Sequence, residues 1–398
     1  MKDTRKILIE KAAGLLPEVK GYRRHFHMNP ELSFEEHQTA DYICRFLDEQ
    51  GINYRRNIAG EGIIAEIRAG SGEGRIIAIR AEMDALPITE KNQVEYASRI
   101  QGKMHACGHD SHLAMLMGTV KILNELKNTL HGRILIIFQP GEELSPGGAR
   151  LMIESGAFND PKPEIVLAQH VLPELETGKV GYRAGRYMAS SDEIYLTITG
   201  KGGHAALPGA STDQIYIASK LILMLKDQVA EAASARNIPT VLGIGKIRGD
   251  GATNVIPEKV EIAGTFRTFN EEWRADAKAL IKKISAELAQ SYGVNIDVRI
   301  ADGYPVLVNN EELTEKAIRL STELLGSENV EMFDIRMSSE DFAFFTEVFP
   351  SVYLRAGIRK KGATRRNLHT PDFDIDEEGM ATGIANMCWL AINFLNDK

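Results

Sequence analysis

Three short runs of apolar, largely β-branched residues constrain the fold of this chain more than any other feature. They occupy Arg75–Arg80, Arg133–Phe138 and Glu164–Ala168. Continuous apolar runs of this length indicate strands that are buried on both faces of a sheet. Helical patterns lie between them, for example at Leu113–Leu126, where apolar residues recur along one stripe. The alternation predicts an α/β domain with a mixed, largely parallel sheet flanked by helices.

The middle of the chain follows a different pattern, which begins near Gly185. Two segments alternate apolar and polar residues as half-exposed strands do, and two longer segments have the period of amphipathic helices. These four segments are Asp192–Gly203, Gln214–Val229, Val260–Phe269 and Glu271–Tyr292. Their order predicts an α+β two-layer domain, with one sheet under two helices.

The segment Ser351–Arg355 again has the apolar strand pattern of the first three runs. We therefore interpret the α+β segment as an insertion into the α/β domain. We expect residues 1–186 and 299–398 to form the first domain and residues 187–298 to form the inserted one. A chain of 398 residues is long enough for two such domains.

Charge and cysteine content exclude several classes of function. A formal net charge of -8 argues against nucleic acid or an anionic membrane as a partner. No segment approaches the roughly twenty uninterrupted apolar residues of a membrane-spanning helix. The charges spread through residues 1–20 do not fit a secretory signal. Three cysteines, Cys44, Cys107 and Cys388, provide no disulfide framework, so we expect a cytoplasmic protein.

The densest group of candidate metal ligands is the segment Met104–His112, which contains one thiol, three imidazoles and one carboxylate. Thiolate and imidazole are the usual ligands of zinc and related metals. Gly108 frees the backbone between Cys107 and His109, so that both side chains can converge on one ion. The alternative is a buried structural cysteine beside surface histidines, but the density of the group favours a metal site.

Two adjacent carboxylates, Glu142 and Glu143, follow the second strand. Consecutive residues at a strand end can point apart, so one would bind metal while the other faces the substrate as general base. The alternative is a solvated turn, because Glu is rarely buried. Their position at the carboxyl edge of a parallel sheet, where ligands gather, favours the site.

Three further polar residues lie in similar positions. His170 follows the third strand and His369 lies in the C-terminal segment, and both are candidate ligands. Asp84 follows the first strand and could orient a ligand imidazole, a role that metal-bound histidines require of some acceptor. Taken singly, a histidine in such a position is more often a buried residue with satisfied hydrogen bonds, and Asp84 could be a helix or turn cap.

Six motifs, in order along nearly the whole chain, resemble the signatures of the M20 metallopeptidases. The similarity is strongest to the amidohydrolases that cleave N-acyl amino acids, such as hippurate hydrolases, N-acetyl-diaminopimelate deacetylases and auxin-conjugate hydrolases. The motifs are Arg23–Leu32, Arg80–Pro87, His105–Asp110, Phe138–Glu143, Gly200–Ala206 and Ser339–Phe342.

The resemblance implies a site with two divalent metal ions. It assigns five ligands, namely Cys107, His109, Glu143, His170 and His369. It makes Glu142 the general base and Asp84 an active-site acid that supports the centre. It also implies that the inserted domain is a lid through which a homodimer forms.

The same resemblance assigns roles to three residues of the inserted domain. His204 would help to hold the tetrahedral oxyanion, and Asn254 and Arg267 would lie near the carboxylate of the substrate. Considered without the family, the structural interpretation is favoured for each: His204 would end a strand at a flexible turn, Asn254 would lie in a loop and Arg267 would be a solvated strand residue. The chain departs from the family where Glu82 replaces the usual Asp and Gly209 replaces a His. We assign no function to either position, and the departures bear on substrate preference more than on reaction type.

The resulting hypothesis is hydrolysis of the amide bond of a small N-acyl amino acid. Water bound to metal would attack the carbonyl after losing a proton to Glu142, which would then protonate the leaving amine. Zinc, manganese, cobalt and nickel all remain compatible with the ligands. Three alternatives stay open: a dipeptidase or carboxypeptidase of the same family, a thiol enzyme with Cys107 as nucleophile and His109 as base, and a catalytically silent binding protein.

Overall fold

The computed structural model describes residues 2–207, 209 and 211–396. This part of the chain divides into two compact units. The first contains the residues up to Tyr187, Val308–Asp334 and the residues from Asp341 onward. The second contains Met188–Leu307 and Ile335–Glu340.

The sheet of the first unit has eight strands within the described residues. The strands are β1 (Asn53–Ile58), β2 (Gly62–Ala69), β3 (Ile76–Glu82), β4 (Gly132–Gln139), β5 (Ile165–Glu176), β6 (Val180–Tyr182), β15 (Val330–Met332) and β16 (Ser351–Arg359). Their spatial order is β1-β2-β4-β3-β5-β16-β6-β15. The four central strands, β4, β3, β5 and β16, run parallel to one another, whereas β1 and β2 add antiparallel pairs at one edge. The predicted mixed, largely parallel sheet is confirmed.

Helices cover this sheet, as the sequence pattern predicts. They are α1 (Lys2–Met28), α2 (His37–Glu49), α3 (His109–Leu126), α4 (Gly148–Glu154), α7 (Glu311–Leu325), α8 (Ala343–Val348) and α9 (Gly379–Leu395). Helices α1, α3 and α9 pack against one another, and α3 and α9 also contact β3. Their apolar side chains form one core with those of the central strands. The first turn of α3 is therefore held between the sheet and two other helices.

The second unit contains one four-stranded antiparallel sheet and two helices within its described residues. Its elements are β8 (Asp192–Thr199), β9 (Gly203–His204), α5 (Gln214–Ala235), β10 (Thr240–Arg248), β11 (Val255–Ile256), β12 (Lys259–Thr268), α6 (Glu271–Tyr292) and β13 (Asn295–Asp302). The order of the large sheet is β10-β12-β8-β13. One core joins α5 and α6 to its inner face. The predicted α+β two-layer arrangement is confirmed.

The boundaries of the second unit differ from the residues 187–298 predicted for the insertion. The unit extends to Leu307 and includes the short segment Ile335–Glu340. The extension has a simple cause, because β13 pairs with β8 along its whole length, from Asn295 to Asp302. Two short strands, β7 (Gly185–Met188) and β14 (Leu307–Asn309), contain the points where the chain first leaves the first unit and returns to it, before the second excursion at Ile335–Glu340.

None of the helices in the described residues combines the length and the apolar character that crossing a bilayer requires.

Candidate metal centre

The candidate ligands of the first unit come together at the carboxyl ends of its parallel strands. Asp84 follows β3, Glu142 and Glu143 follow β4, and His170 lies within β5. Parallel strands direct these ends to one edge of the sheet. Strand β5 does not end before His170, as the apolar run suggested, but continues to Glu176. In the register of the sheet, His170 lies beside Arg355 of β16.

Gly108 determines how Cys107 and His109 are presented. It lies at the N-terminus of α3 with φ of 88°, a left-handed conformation that glycine adopts without strain. A Cβ atom at this position would lie 2.5 Å from Val171 Cγ2. Because the glycine allows both the turn and the close approach to β5, Cys107 and His109 are buried on either side of it.

Asp84 orients the imidazole of His109. The Nδ1 atom of His109 lies 2.8 Å from the backbone oxygen of Asp84 and 3.3 Å from its Oδ1 atom. This contact makes Nδ1 the donor and turns Nε2 toward the centre, as is typical of metal-binding histidines. Burial by itself would raise the pKa of Asp84, but hydrogen bonds from His109, the Glu143 amide and Ser33 hold this pKa below its usual value.

The thiol of Cys107 lies between two imidazoles. Its Sγ atom is 3.4 Å from His170 Nε2 and 3.3 Å from His369 Nε2. His170 Nδ1 donates to the backbone oxygen of Val171 at 2.7 Å, which leaves Nε2 to face the thiol. His369 adopts a φ of 60° and its backbone N–H donates to Ala106 O at 2.8 Å. The structure thus brings together candidate ligands that are far apart in sequence.

The paired carboxylates differ in their surroundings. Glu143 Oε1 lies 3.2 Å from His369 Nε2 and 4.0 Å from His109 Nε2. Its backbone N–H donates to Asp84 Oδ2 at 2.9 Å. Glu142 is buried, and its Oε1 atom accepts a hydrogen bond of 3.3 Å from the backbone N–H of Asp341. The carboxylate of Glu143 therefore faces the two candidate histidines, while that of Glu142 accepts a hydrogen bond from a separate segment.

These residues fit two divalent metal ions. His109 Nε2 and Glu143 Oε1 are buried, and in the described part of the chain neither forms a hydrogen bond. Ligand atoms of Cys107, Glu143 and His369 lie within 4.8 Å of one another, as do those of His109, Glu142 and Glu143. Thiolate, imidazole and carboxylate are the donor set of zinc and related divalent metals.

The electrostatics of the centre also favour cations. Burial raises the pKa of the Cys107 thiol well above its usual value, and the carboxylates of Glu143 and Glu142 raise it further. Several acidic groups are therefore confined within a small buried volume. A divalent cation would offset their mutual repulsion and favour the thiolate.

Two buried residues near the candidate ligands, Glu82 and His112, have no role predicted from the sequence. His112 Nδ1 lies 3.1 Å from Glu82 Oε2, and His112 Nε2 accepts the backbone N–H of Val171 at 2.9 Å. Both nitrogens of His112 are thus engaged, so this histidine fixes β5 next to His170. The spacing of His109 and His112, which places them on one helix face, is the sequence signal that could have indicated this proximity.

The remaining predicted residues lie in the second unit. His204 in β9 pairs with Val255 in β11, and the backbone N–H of Ala205 donates to Asn254 O at 3.0 Å. The structure thus places His204 and Asn254 in neighbouring segments. Arg267 lies on β12, where its Nη1 donates to Met337 O at 3.0 Å and to Ser339 Oγ at 3.2 Å, both in the same unit.

Comparison with known proteins places this architecture in a family. The model of peptidase family M20/M25/M40 matches residues 78–393. The chain belongs to this family. It is therefore a metal-dependent hydrolase that acts on amide bonds.

Similar proteins extend over most of the chain. An IAA-amino acid hydrolase, ILR1-like 2, from Arabidopsis thaliana is 36% identical over 378 residues, which are 94% of this chain and 85% of the relative. An N-acyl-L-amino acid amidohydrolase from Geobacillus stearothermophilus is 38% identical over 307 residues, 76% of this chain and 82% of the relative. The crystal structure of a dinuclear metal-binding peptidase of family M20 from Bacillus subtilis matches with a TM-score of 0.83 and 30% identity, covering 97% of this chain and 99% of that one.

Proposed function

We propose that this protein hydrolyses the amide bond of N-acyl amino acids and releases a carboxylic acid and a free amino acid. One observation carries the proposal. Two buried atoms without hydrogen bonds, His109 Nε2 and Glu143 Oε1, lie 4.0 Å apart, and the carboxylate of Glu142 is next to them in the chain. The relatives named as an IAA-amino acid hydrolase and an N-acyl-L-amino acid amidohydrolase support this substrate class.

Five side chains are proposed to hold two divalent metal ions. They are Cys107, His109, Glu143, His170 and His369. When bound, such ions polarise the amide carbonyl and lower the pKa of water toward about 7. Glu142 accepts the proton of the attacking water and then returns it to the leaving amine. Asp84 fixes the tautomer of His109 through the contact with Nδ1.

Three residues of the second unit are proposed to act on the substrate. His204 donates a hydrogen bond to the oxyanion, and Asn254 and Arg267 bind the carboxylate of the amino acid. The half-buried guanidinium of Arg267 has backbone and hydroxyl acceptors but no carboxylate partner among the described residues. A planar guanidinium of this kind can bind a carboxylate through two parallel hydrogen bonds.

The assembly and location of the enzyme are also proposals. We propose a homodimer that forms through the second unit, because Ile215, Tyr216 and Leu223 of α5 are exposed apolar side chains on that unit. We propose a cytoplasmic location, because all three cysteines are free and buried.

A panel of substrates with one variant tests the catalytic assignment. The Glu142→Gln enzyme should bind the same amount of metal as the wild type but lose at least about 100-fold in kcat on N-acetyl and N-benzoyl amino acids, because a general base contributes on this scale. Glu154→Gln, which changes an exposed glutamate of α4, is the matched control and should retain full activity.

Each unexpected result of this experiment would favour a different alternative. Near-normal activity of Glu142→Gln would exclude Glu142 as the base. Faster cleavage of dipeptides than of N-acyl amino acids would identify a peptidase instead. Binding without hydrolysis across the whole panel would identify a catalytically silent protein.

A further inference from the structure

Asp341 connects the proposed general base to the framework of the first unit. It is fully buried and lies in the motif Ser339–Phe342, just before α8. Its backbone N–H donates to Glu142 Oε1 at 3.3 Å. The orientation of the Glu142 carboxylate therefore depends on where the main chain of Asp341 is held.

The side chain of Asp341 is anchored on three different elements. Its Oδ1 atom accepts from Arg80 Nη2 of β3 at 2.6 Å. Gln139 Nε2, at the end of β4, lies 3.0 Å from Oδ1 and 2.8 Å from Oδ2. The backbone N–H of Ala149, in the first turn of α4, donates to Oδ2 at 2.9 Å. Donors from a strand, a strand end and a helix thus fix one carboxylate.

The anchor is itself rigid because its partners are linked to one another. Arg80 Nε donates to Gln139 Oε1 at 2.9 Å, and Arg80 Nη1 lies 2.8 Å from Glu82 Oε1. Glu82 in turn contacts His112. The guanidinium of Arg80 therefore lies between two buried carboxylates, and charge-assisted hydrogen bonds of this kind are short and strong. Hydrogen bonds thus join Arg80, Gln139 and Asp341 into one buried network, and such a network restricts its members to few arrangements.

We propose that Asp341 is a positioning residue for the hydrolytic reaction. Its carboxylate fixes the main chain at position 341, and the N–H of that position holds one oxygen of Glu142 so that the base faces the substrate. This inference rests on the proposed function, because it requires Glu142 to be the base. It assigns a role to the motif Ser339–Phe342, which the metal ligands and the base leave unexplained.

The test compares kcat and KM in a double-mutant cycle of the metal-loaded enzyme. Asp341→Asn replaces one acceptor oxygen by an amide nitrogen, which faces donors instead of accepting from them. We expect kcat to fall about 10- to 100-fold, as misplacement of a reacting group by about 1 Å does, while KM changes less than about threefold. Metal content should equal that of the wild type. In the Glu142→Gln background, the same substitution should cause no further loss of kcat.

Two additional variants separate positioning from general damage. Gln139→Met removes the hydrogen bonds of Gln139 to Asp341 and to Arg80 Nε but keeps the hydrogen bond from Arg80 Nη2 to Asp341, so it should give a smaller loss of kcat that also disappears in Glu142→Gln. It serves as the main variant if Asp341→Asn does not fold. Glu66→Gln is the matched control, because Glu66 accepts two hydrogen bonds of 2.8 Å from Arg133 at the other end of β4. It should leave kcat unchanged.

The outcomes keep this inference distinct from the proposed function. If Glu142→Gln retains activity, Glu142 is not the base, and the positioning role of Asp341 is wrong together with that assignment. If Glu142→Gln is inactive but Asp341→Asn reduces kcat by the same factor in both backgrounds, the base assignment stands and the positioning role is wrong. A change confined to KM or to metal content would also overturn the positioning role.

Discussion

The surroundings of Cys107 indicate which chemical role its thiol can have. Its thiol faces two imidazoles, and burial together with two glutamates disfavours a free thiolate. The base required by the thiol-enzyme hypothesis, His109, instead directs its Nδ1 atom to Asp84. These surroundings suit a ligand and not a nucleophile, because a nucleophilic thiol needs an adjacent base and a lowered pKa.

Removal of metal should therefore abolish hydrolysis. Treatment with a chelator at neutral pH should reduce activity to background, and adding zinc, manganese, cobalt or nickel separately should restore it, because affinity and geometry both allow these ions. The measurement is activity against metal content for each ion. Full activity in metal-free enzyme, lost on alkylation of Cys107, would instead support the thiol mechanism.

Ligand types could be recognised in the sequence, but supporting residues could not. Cys107, His109 and the two glutamates stand out because their side chains are uncommon at strand ends and dense in one segment. The roles of His112 and Asp341 depend on contacts between elements that are far apart along the chain, such as the hydrogen bond between Gln139 and Asp341. The spacing of His109 and His112 shows that they share a helix face, but it does not show that His112 contacts Glu82 and Val171.

Elements with clear end signals were predicted well. Helix α6 has the predicted bounds Glu271–Tyr292, since Asn270 caps its N-terminus through Trp273 N and Gly293 ends it in the left-handed conformation. The apolar pattern predicts too short a strand for β5. The pattern ends at Ala168 because Gln169 and His170 are polar, whereas the strand continues to Glu176. The candidate ligand His170 thus lies inside the strand whose end it was expected to mark.

The turn before α3 provides a test at the level of one element. Gly108→Ala should destabilise the protein by about 2–5 kcal/mol, from about 1–2 kcal/mol for the left-handed backbone and about 1–3 kcal/mol for the contact with Val171. It should also reduce metal affinity, since Cys107 and His109 flank the turn. Chemical denaturation and metal titration measure the two effects.

Gly102→Ala is the matched control for this substitution. Gly102 has a similar φ of 81°, but no atom lies within 4 Å of a Cβ placed there. Only the backbone cost of about 1–2 kcal/mol applies, and metal affinity should not change. Equal losses of stability and affinity in both variants would show that the contact with Val171 is unimportant.

The stability of the whole first unit includes a buried ionic network beside the metal centre. Arg23 of α1 contacts Asp110 of α3 at 3.1 Å and Asp374 at 2.7 Å. His27 lies 2.8 Å from Asp110 and 3.2 Å from Glu90. The network therefore links the N-terminal helix to the helix that follows Cys107 and to the segment after His369.

Titration of His27 should make stability depend on pH. Burial alone would lower the pKa of His27, but the hydrogen bonds to Asp110 and Glu90 outweigh it and raise the pKa to about 9. A raised pKa favours the charged form in the folded state, so this contribution is complete below about pH 6.5 and is lost as pH rises through 9. The loss should be on the order of 3 kcal/mol in the free energy of unfolding.

Denaturation of wild type and His27→Gln between about pH 6 and about pH 10 measures this contribution. The difference in stability between the two proteins should shrink as pH rises. His37→Gln, which removes an exposed histidine paired with Glu61, is the control and should leave the pH dependence in place. A difference that is constant with pH would show that His27 does not titrate in this range.

The order in which residues are synthesised limits when the proposed metal centre can form. Cys107 and His369 lie 262 positions apart, although their side chains are in contact. Closing so long a loop is slow relative to forming local structure. A growing chain that ends before His369 contains four of the five proposed ligands, so the complete set of ligands can form only after the C-terminal segment has been synthesised.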